Sequence, residues 1–241
     1  MGQGWAKLAH PQRKNVNNHE YPMSDPISIP RTPYVLRAPP SAPRAGIGVD
    51  PGKEGAIVIV EGEAITRAWW WATSTRRRVP GVRIWESSAA GTIDDWYPSL
   101  GRALRNVCWI PGPESIVTVE AVHGQPGKSG FEVLAEYAGR LIGWVEAEGG
   151  RVGPRPTSTT WRADMLKLPA STAAVVAEQV AVDTLLGRPT GGRSITIARP
   201  FAGPLPPDLN GHVAEAALMA LWGRGYRAQP DMVTAPGKGV R

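Results

Sequence analysis

Residues 45–60, AGIGVDPGKEGAIVIV, hold two apolar runs joined by a Pro-Gly turn, and an aspartate closes the first run. Two such runs read as neighbouring strands joined by a tight turn, so the chain must build a sheet around them. Asp50 then stands at a strand end, next to surface that the sheet has to bury. A carboxylate taken out of water is costly unless it is paired, hydrogen-bonded or bound to metal. Asp50 therefore requires a partner elsewhere in the chain.

The elements that follow supply candidates. EGE makes a second turn into AITRAWWWATS, a third strand whose alternation puts Trp69 and Trp71 on one face and Trp70 on the other. In GTIDDWYPSLGRALRNVCW, Trp96, Leu100, Leu104 and Val107 have helical spacing, with Pro98 near the helix start. SIVTVEAV reads as a buried strand that again ends in an acid, Glu120. A glycine-rich loop, HGQPGKSG, leads into FEVLAEYAGRLIGWVEAEGG, an amphipathic helix stopped by Gly149 and Gly150. RVGPRPTSTTW begins extended and turns into a short helix; STAAVVAEQVAVDTLLG is helical, and SITIARP is a short strand or extended piece. HVAEAALMALWGRGY is the last helix. This order predicts an α/β domain with a mixed central sheet, three antiparallel strands then parallel strands, flanked by helices on both sides.

The net charge of +6 is concentrated at the ends of the chain. Residues 1–45 carry six Lys/Arg against two acids, and residues 224–241 carry four against one. Between them lie 17 basic and 18 acidic residues, so the body is nearly neutral. Residues 1–44, rich in Pro, Asn, Ser and Arg, are expected to be a disordered or loosely attached extension, 45–226 the folded domain, and 227–241 a flexible basic tail. Basic tails attract polyanions such as nucleic acid, and equally they aid solubility. No run of about 18 apolar residues offers a membrane span, and the N-terminus lacks the apolar core of a signal peptide. One cysteine, Cys108, excludes an internal disulfide and a cysteine metal cluster, which suits a reducing cytoplasm.

Asp50 and Glu120 each close a central strand, and neighbouring strand ends lie about 5 Å apart. Two carboxylates at that distance repel unless one is protonated or a cation sits between them. A hard divalent cation such as Mg²⁺, which takes oxygen ligands, resolves the conflict. The last helix adds His212 and Glu215, three residues apart and so on one face, among Val213, Ala214, Ala216, Ala217, Leu218 and Met219. His212 has an alternative as a first-turn residue facing water, since Asn210 and Gly211 make a cap; for Glu215, a turn inside, that escape is harder.

GIGVDPGKEGAIVIV, IVTVEAVHGQPGKSGFEVLAEYAGRLIGW, PTSTTWR and HVAEAALMALWG, in that order, resemble the RuvC family of Holliday-junction resolvases, its phage-type branch in particular. The resemblance covers roughly residues 45–225. It implies an RNase H-like fold with Asp50 and Glu120 on sheet strands and His212 and Glu215 on the last helix, together holding two Mg²⁺ ions, with Mn²⁺ able to substitute. The family usually has an acid at the position of His212; an imidazole there favours Mn²⁺ somewhat. Asp208, in a proline-rich loop, is a poorer fourth ligand.

The activity implied is hydrolysis of DNA at four-way junctions by a homodimer, leaving a 5′ phosphate and a ligatable 3′ hydroxyl, in a bacterial or phage-infected cytoplasm. Two ions about 4 Å apart can activate water and stabilise the leaving oxygen. Lys53, His123, Lys128, Arg162 and Lys167 are the candidate DNA contacts, and Arg76 to Arg78 a further basic run. Three other readings share features of this sequence. Actin-like ATPases and sugar kinases also use an Asp-Gly hairpin, a non-catalytic junction-binding protein would tolerate His212, and an RNase H-like nuclease for forks, flaps or hybrids would use the same metal chemistry.

Overall fold

A computed structural model describes residues 32–51, 54–72, 81–87, 92–96, 114–122, 131–147, 149–189 and 195–231. Strand β1 (Thr32–Arg37) precedes the hairpin of β2 (Ala45–Asp50) and β3 (Gly55–Glu61), followed by β4 (Ala64–Ala72), β5 (Gly81–Glu86), β6 (Thr92–Trp96) and β7 (Ser115–Val119). Helix α1 (Phe131–Ala147), the two-residue β8 (Arg151–Val152), α2 (Ser158–Leu166), α3 (Ala174–Leu186), β9 (Ile195–Ile197), α4 (Gly211–Gly223) and β10 (Arg227–Pro230) complete it.

The main sheet has seven strands in the order β6-β5-β4-β3-β2-β7-β8. Strands β2 to β6 pair antiparallel in succession, while β7 joins β2 and β8 joins β7 in parallel. The chain is therefore α/β with a mixed sheet, as expected, but its antiparallel part runs to five strands instead of three. Trp96, read from its spacing as helical, closes strand β6 instead, pairing with Gly81; residues 97–113 lie outside the described residues.

Alternation along the strands divides the interior into two apolar layers. Ile47, Val49, Ile57, Ile59, Trp69 and Trp71 pack with Val117 and Val119 against Ala138, Leu141 and Val145 of α1. On the opposite face Ala56, Val58, Val60, Ala68 and Trp70 pack against α2, α3 and α4. The three tryptophans fall on the two faces as strand periodicity requires, and helices cover both. Each fully buried side chain of this size contributes roughly 1.5–3 kcal/mol, so the three tryptophans fasten β4 between two cores.

Two segments expected to lie outside the domain are part of it. Strand β1 pairs antiparallel with β10, Tyr34 opposite Pro230, and parallel with β9, Thr32 opposite Ile195, forming a separate three-stranded sheet. The arginines read as tail charge are engaged within the fold. Arg224 is buried and donates to the carbonyls of Pro43 at 2.8 Å and Gly62 at 2.6 Å. Arg227 stacks on Trp222 and lies 3.2 Å from Asp164. Composition alone marks arginine as solvated, yet here it supplies hydrogen bonds to carbonyls that would otherwise go unmet. Residues 1–31 and 232–241 lie outside the described residues. Among the described residues no helix is long and apolar enough to cross a membrane.

Candidate active site

Residues 46, 48 and 50 share one face of β2, the face that meets α4. A Cβ at Gly46 would stand 2.4 Å from the Ala220 carbonyl oxygen, and one at Gly48 only 1.8 Å from that of Ala216. The two glycines thus let the helix backbone lie directly on the strand. Asp50 continues the same face, beyond the closely packed stretch, opposite the first turn of α4. There Asn210 caps the helix, its side chain accepting from the Val213 amide at 3.0 Å. His212 consequently reaches back to the strand end, with Nδ1 2.7 Å from Asp50 Oδ2.

Glu120 follows β7 directly. Val49 and Val119 are register partners, and the Glu120 amide donates to the Val49 carbonyl at 3.1 Å, so Asp50 and Glu120 lie side by side at parallel strand ends. The Ala121 amide bonds the Pro156 carbonyl at 2.8 Å, which brings the start of α2 over Glu120. Burial, with the charge of Asp50 adding to it, pushes the Glu120 carboxyl up to about 7. Arg162, the indole of Trp161 and the hydroxyl of Ser158 pull the other way, although the indole nitrogen falls outside hydrogen-bond geometry with any described residue.

Glu215 is 3% exposed on the same side of α4 as His212. Arg162 Nη2 donates to its Oε1 at 2.5 Å. Burial nevertheless pushes the Glu215 carboxyl up to about 8; Arg162 opposes this, while the charges of Asp50 and Glu120 add to it. The hydrogen bond that His212 donates to Asp50 raises the imidazole above its ordinary value against the effect of burial, with further help from the charges of Asp50, Glu178 and Glu215.

Asp50, Glu120, His212 and Glu215 are therefore brought into one electrostatically coupled group. Two groups of the protein answer it: the Arg162 guanidinium on Glu215 and the His212 imidazole on Asp50, whose proton affinity Asp50 raises. Among the described residues, no three acidic, imidazole or thiol groups stand together as a ready metal cage. The chemistry of the donors still fits a divalent ion, because three carboxylates and one imidazole offer hard oxygens and one nitrogen, and the carboxylates hold one another's proton affinity up.

Of the other candidate residues, Lys53, His123, Lys128 and Arg76 to Arg78 lie outside the described residues. Arg162, expected as a DNA contact, points into the carboxylate group, its side chain 15% exposed. Lys167 is the left-handed C-cap of α2, at φ 53°. Asp208 is engaged with Arg83 at 2.5 Å. Two acids escaped the sequence reading. Glu54 Oε2 lies 3.9 Å from His212 Nε2, and Glu178 abuts the start of α4, its Cβ 2.7 Å from the Cβ position of Gly211. Glu178, on a helix that also carries Gln179 and Asp183, had no signal, whereas Glu54 sits in the quoted hairpin four residues after Asp50, so the turn itself was its signal.

The raised carboxyls set a pH dependence. The glutamates' ordinary value is 4.5, so they bind protons in the fold that the unfolded chain has already released. That contribution to stability is complete below 4.5 and is lost as pH rises through about 7 for Glu120 and about 8 for Glu215. The His212 shift has the same sign. Melting in chelator is therefore expected to fall steadily from roughly pH 5 to roughly pH 9, and a divalent ion that binds the carboxylates should restore more stability at the upper end than at the lower. A flat profile would show that these carboxyls are not held protonated. No family model matches the sequence, and no curated protein matches it significantly.

Proposed function

We propose that the protein is a metal-dependent endonuclease of RNase H-like architecture, related to the RuvC resolvases, that cuts four-way DNA junctions as a homodimer. One observation carries the reading: Asp50 and Glu120, from adjacent parallel strand ends, are coupled electrostatically to His212 and Glu215, from one face of α4, and the proton affinity of both glutamates is raised. An antiparallel β2-β3-β4 run joined in parallel by β7, with α4 laid across β2, supports the architecture.

Asp50, Glu120 and Glu215 would hold Mg²⁺ or Mn²⁺, and His212 would either add a nitrogen donor or move a proton. Bound there, such ions supply an activated water and stabilise the leaving 3′ oxygen. The chain's own contribution is placement. Gly46 and Gly48 fix the height of α4 above the sheet, Asn210 fixes its first turn, and the Ala121–Pro156 bond sets α2 over Glu120. His212, hydrogen-bonded to Asp50 yet 29% exposed, is placed to hold or pass a proton at Nε2. A two-fold protein matches the two-fold symmetry of a junction, one site for each of two strands.

Incubation with labelled four-way junctions, forks, flaps, duplexes and RNA–DNA hybrids, with Mg²⁺ and with Mn²⁺, tests the substrate. Paired symmetric nicks, sealed by ligase, are expected on junctions. Faster cutting of forks, flaps or hybrids would reassign the substrate within the same chemistry. ATP hydrolysis without DNA cutting would replace the nuclease by a phosphotransferase of the actin-like kind.

A further inference from the structure

Resting on the nuclease reading, we propose that Arg162 is the cation the site carries before metal and substrate arrive, and that it passes from Glu215 to a DNA phosphate, opening Glu215 to a divalent ion. Arg162 and Glu215 are held at 2.5 Å with side chains 15% and 4% exposed, so the pair is shielded from solvent. A guanidinium does not lose its proton in a protein, so its charge stays on Glu215 until something displaces it. A divalent ion approaching the same carboxylate meets that charge directly.

The grip on Glu215 is also incomplete. Arg162 Nε is buried without a hydrogen-bond partner among the described residues, which leaves part of the planar donor fork unused. Phosphate oxygens match that fork two at a time. The guanidinium carbon lies 5.5 Å from the centre of the Trp161 ring, so an apolar wall backs it on the side of α2. Its charge reaches Glu120 as well as Glu215; one movement therefore alters the electrostatics of two candidate ligands. Loading of the site with metal is thereby coupled to arrival of the substrate's phosphate.

Calorimetric titration of Mn²⁺ into the full chain without DNA tests this in four proteins: wild type, Arg162→Gln, Arg162→Lys and Asp50→Asn. Removing the competing charge is expected to make Arg162→Gln bind Mn²⁺ about tenfold tighter than wild type, and to weaken junction binding in Ca²⁺ several-fold. Arg162→Lys, which keeps the charge without the fork, is expected to bind Mn²⁺ about as wild type does while binding junctions several-fold more weakly; if the glutamine variant does not fold, unchanged junction binding by the lysine variant overturns the inference. Unchanged or weaker Mn²⁺ binding by folded Arg162→Gln, with binding still abolished by Asp50→Asn, overturns the role of Arg162 and leaves the metal site standing. Absence of Mn²⁺ binding by all four overturns both.

Discussion

If the proposed nuclease function holds, Asp50→Asn is expected to leave a folded protein that still holds four-way junctions but cuts them slower by on the order of 10³-fold, the scale on which one fixed charge at a reacting centre acts. The side chain keeps its shape, and its oxygen can still accept from His212, now at 2.7 Å from Asp50 Oδ2. What disappears is the negative charge shared by the strand end and α4. Stability should change little, because two effects oppose. Asparagine relieves the repulsion that Asp50 exerts on Glu120 and Glu215, and it gives up the charge that stabilises the His212 imidazolium. Gel assays of binding in Ca²⁺ and of cutting in Mg²⁺ separate the two functions. A variant that cuts at the wild-type rate removes Asp50 from the chemistry.

Gly48→Ala is expected to be among the most damaging single substitutions outside the charged group. The added carbon would stand 1.8 Å from the Ala216 carbonyl oxygen and 2.6 Å from the Ala220 amide nitrogen, both backbone atoms of a buried helix. No rotamer relieves a backbone clash, so strand and helix must separate. Overpacking of this kind costs about 3 kcal/mol or more, which for a domain of this size lowers the melting temperature by roughly 6–12 °C. Separation also moves His212 and Glu215 away from Asp50, so cutting should fall further than the loss of folded protein explains. Wild-type melting and cutting would show that the helix rests on the sheet less closely than the glycines require.

The parts of this structure that the sequence made legible are those written in local periodicity. Strands β2, β3 and β4, the opposite facing of Trp70 against Trp69 and Trp71, and the helix carrying Leu141 each repeat at their own period within a few residues, while the helix carrying Glu215 shows as a continuous Ala-rich apolar run. The acids closing β2 and β7 were legible for the same reason, since each ends an apolar run. Contacts between distant residues were not. Strand β1 has no pattern of its own, because its partners, Ile195 and Pro230, are far along the chain. Trp96 fitted a helical spacing that continues beyond it, and only its pairing with Gly81 makes it strand. Arg162 was read as a DNA contact and Arg224 as tail charge because an arginine's burial is decided by its partner, here Glu215 for one and the carbonyls of Pro43 and Gly62 for the other.

The central claim, that Asp50, Glu120, His212 and Glu215 form one site for divalent cations, is tested most directly by anomalous diffraction from crystals of the full chain grown with Mn²⁺. The expected result is an anomalous peak within coordinating distance of Asp50 and at least one of Glu120 and Glu215, lost in crystals of Asp50→Asn. Manganese bound elsewhere, with Arg162 still paired to Glu215 and no peak at Asp50, would contradict it.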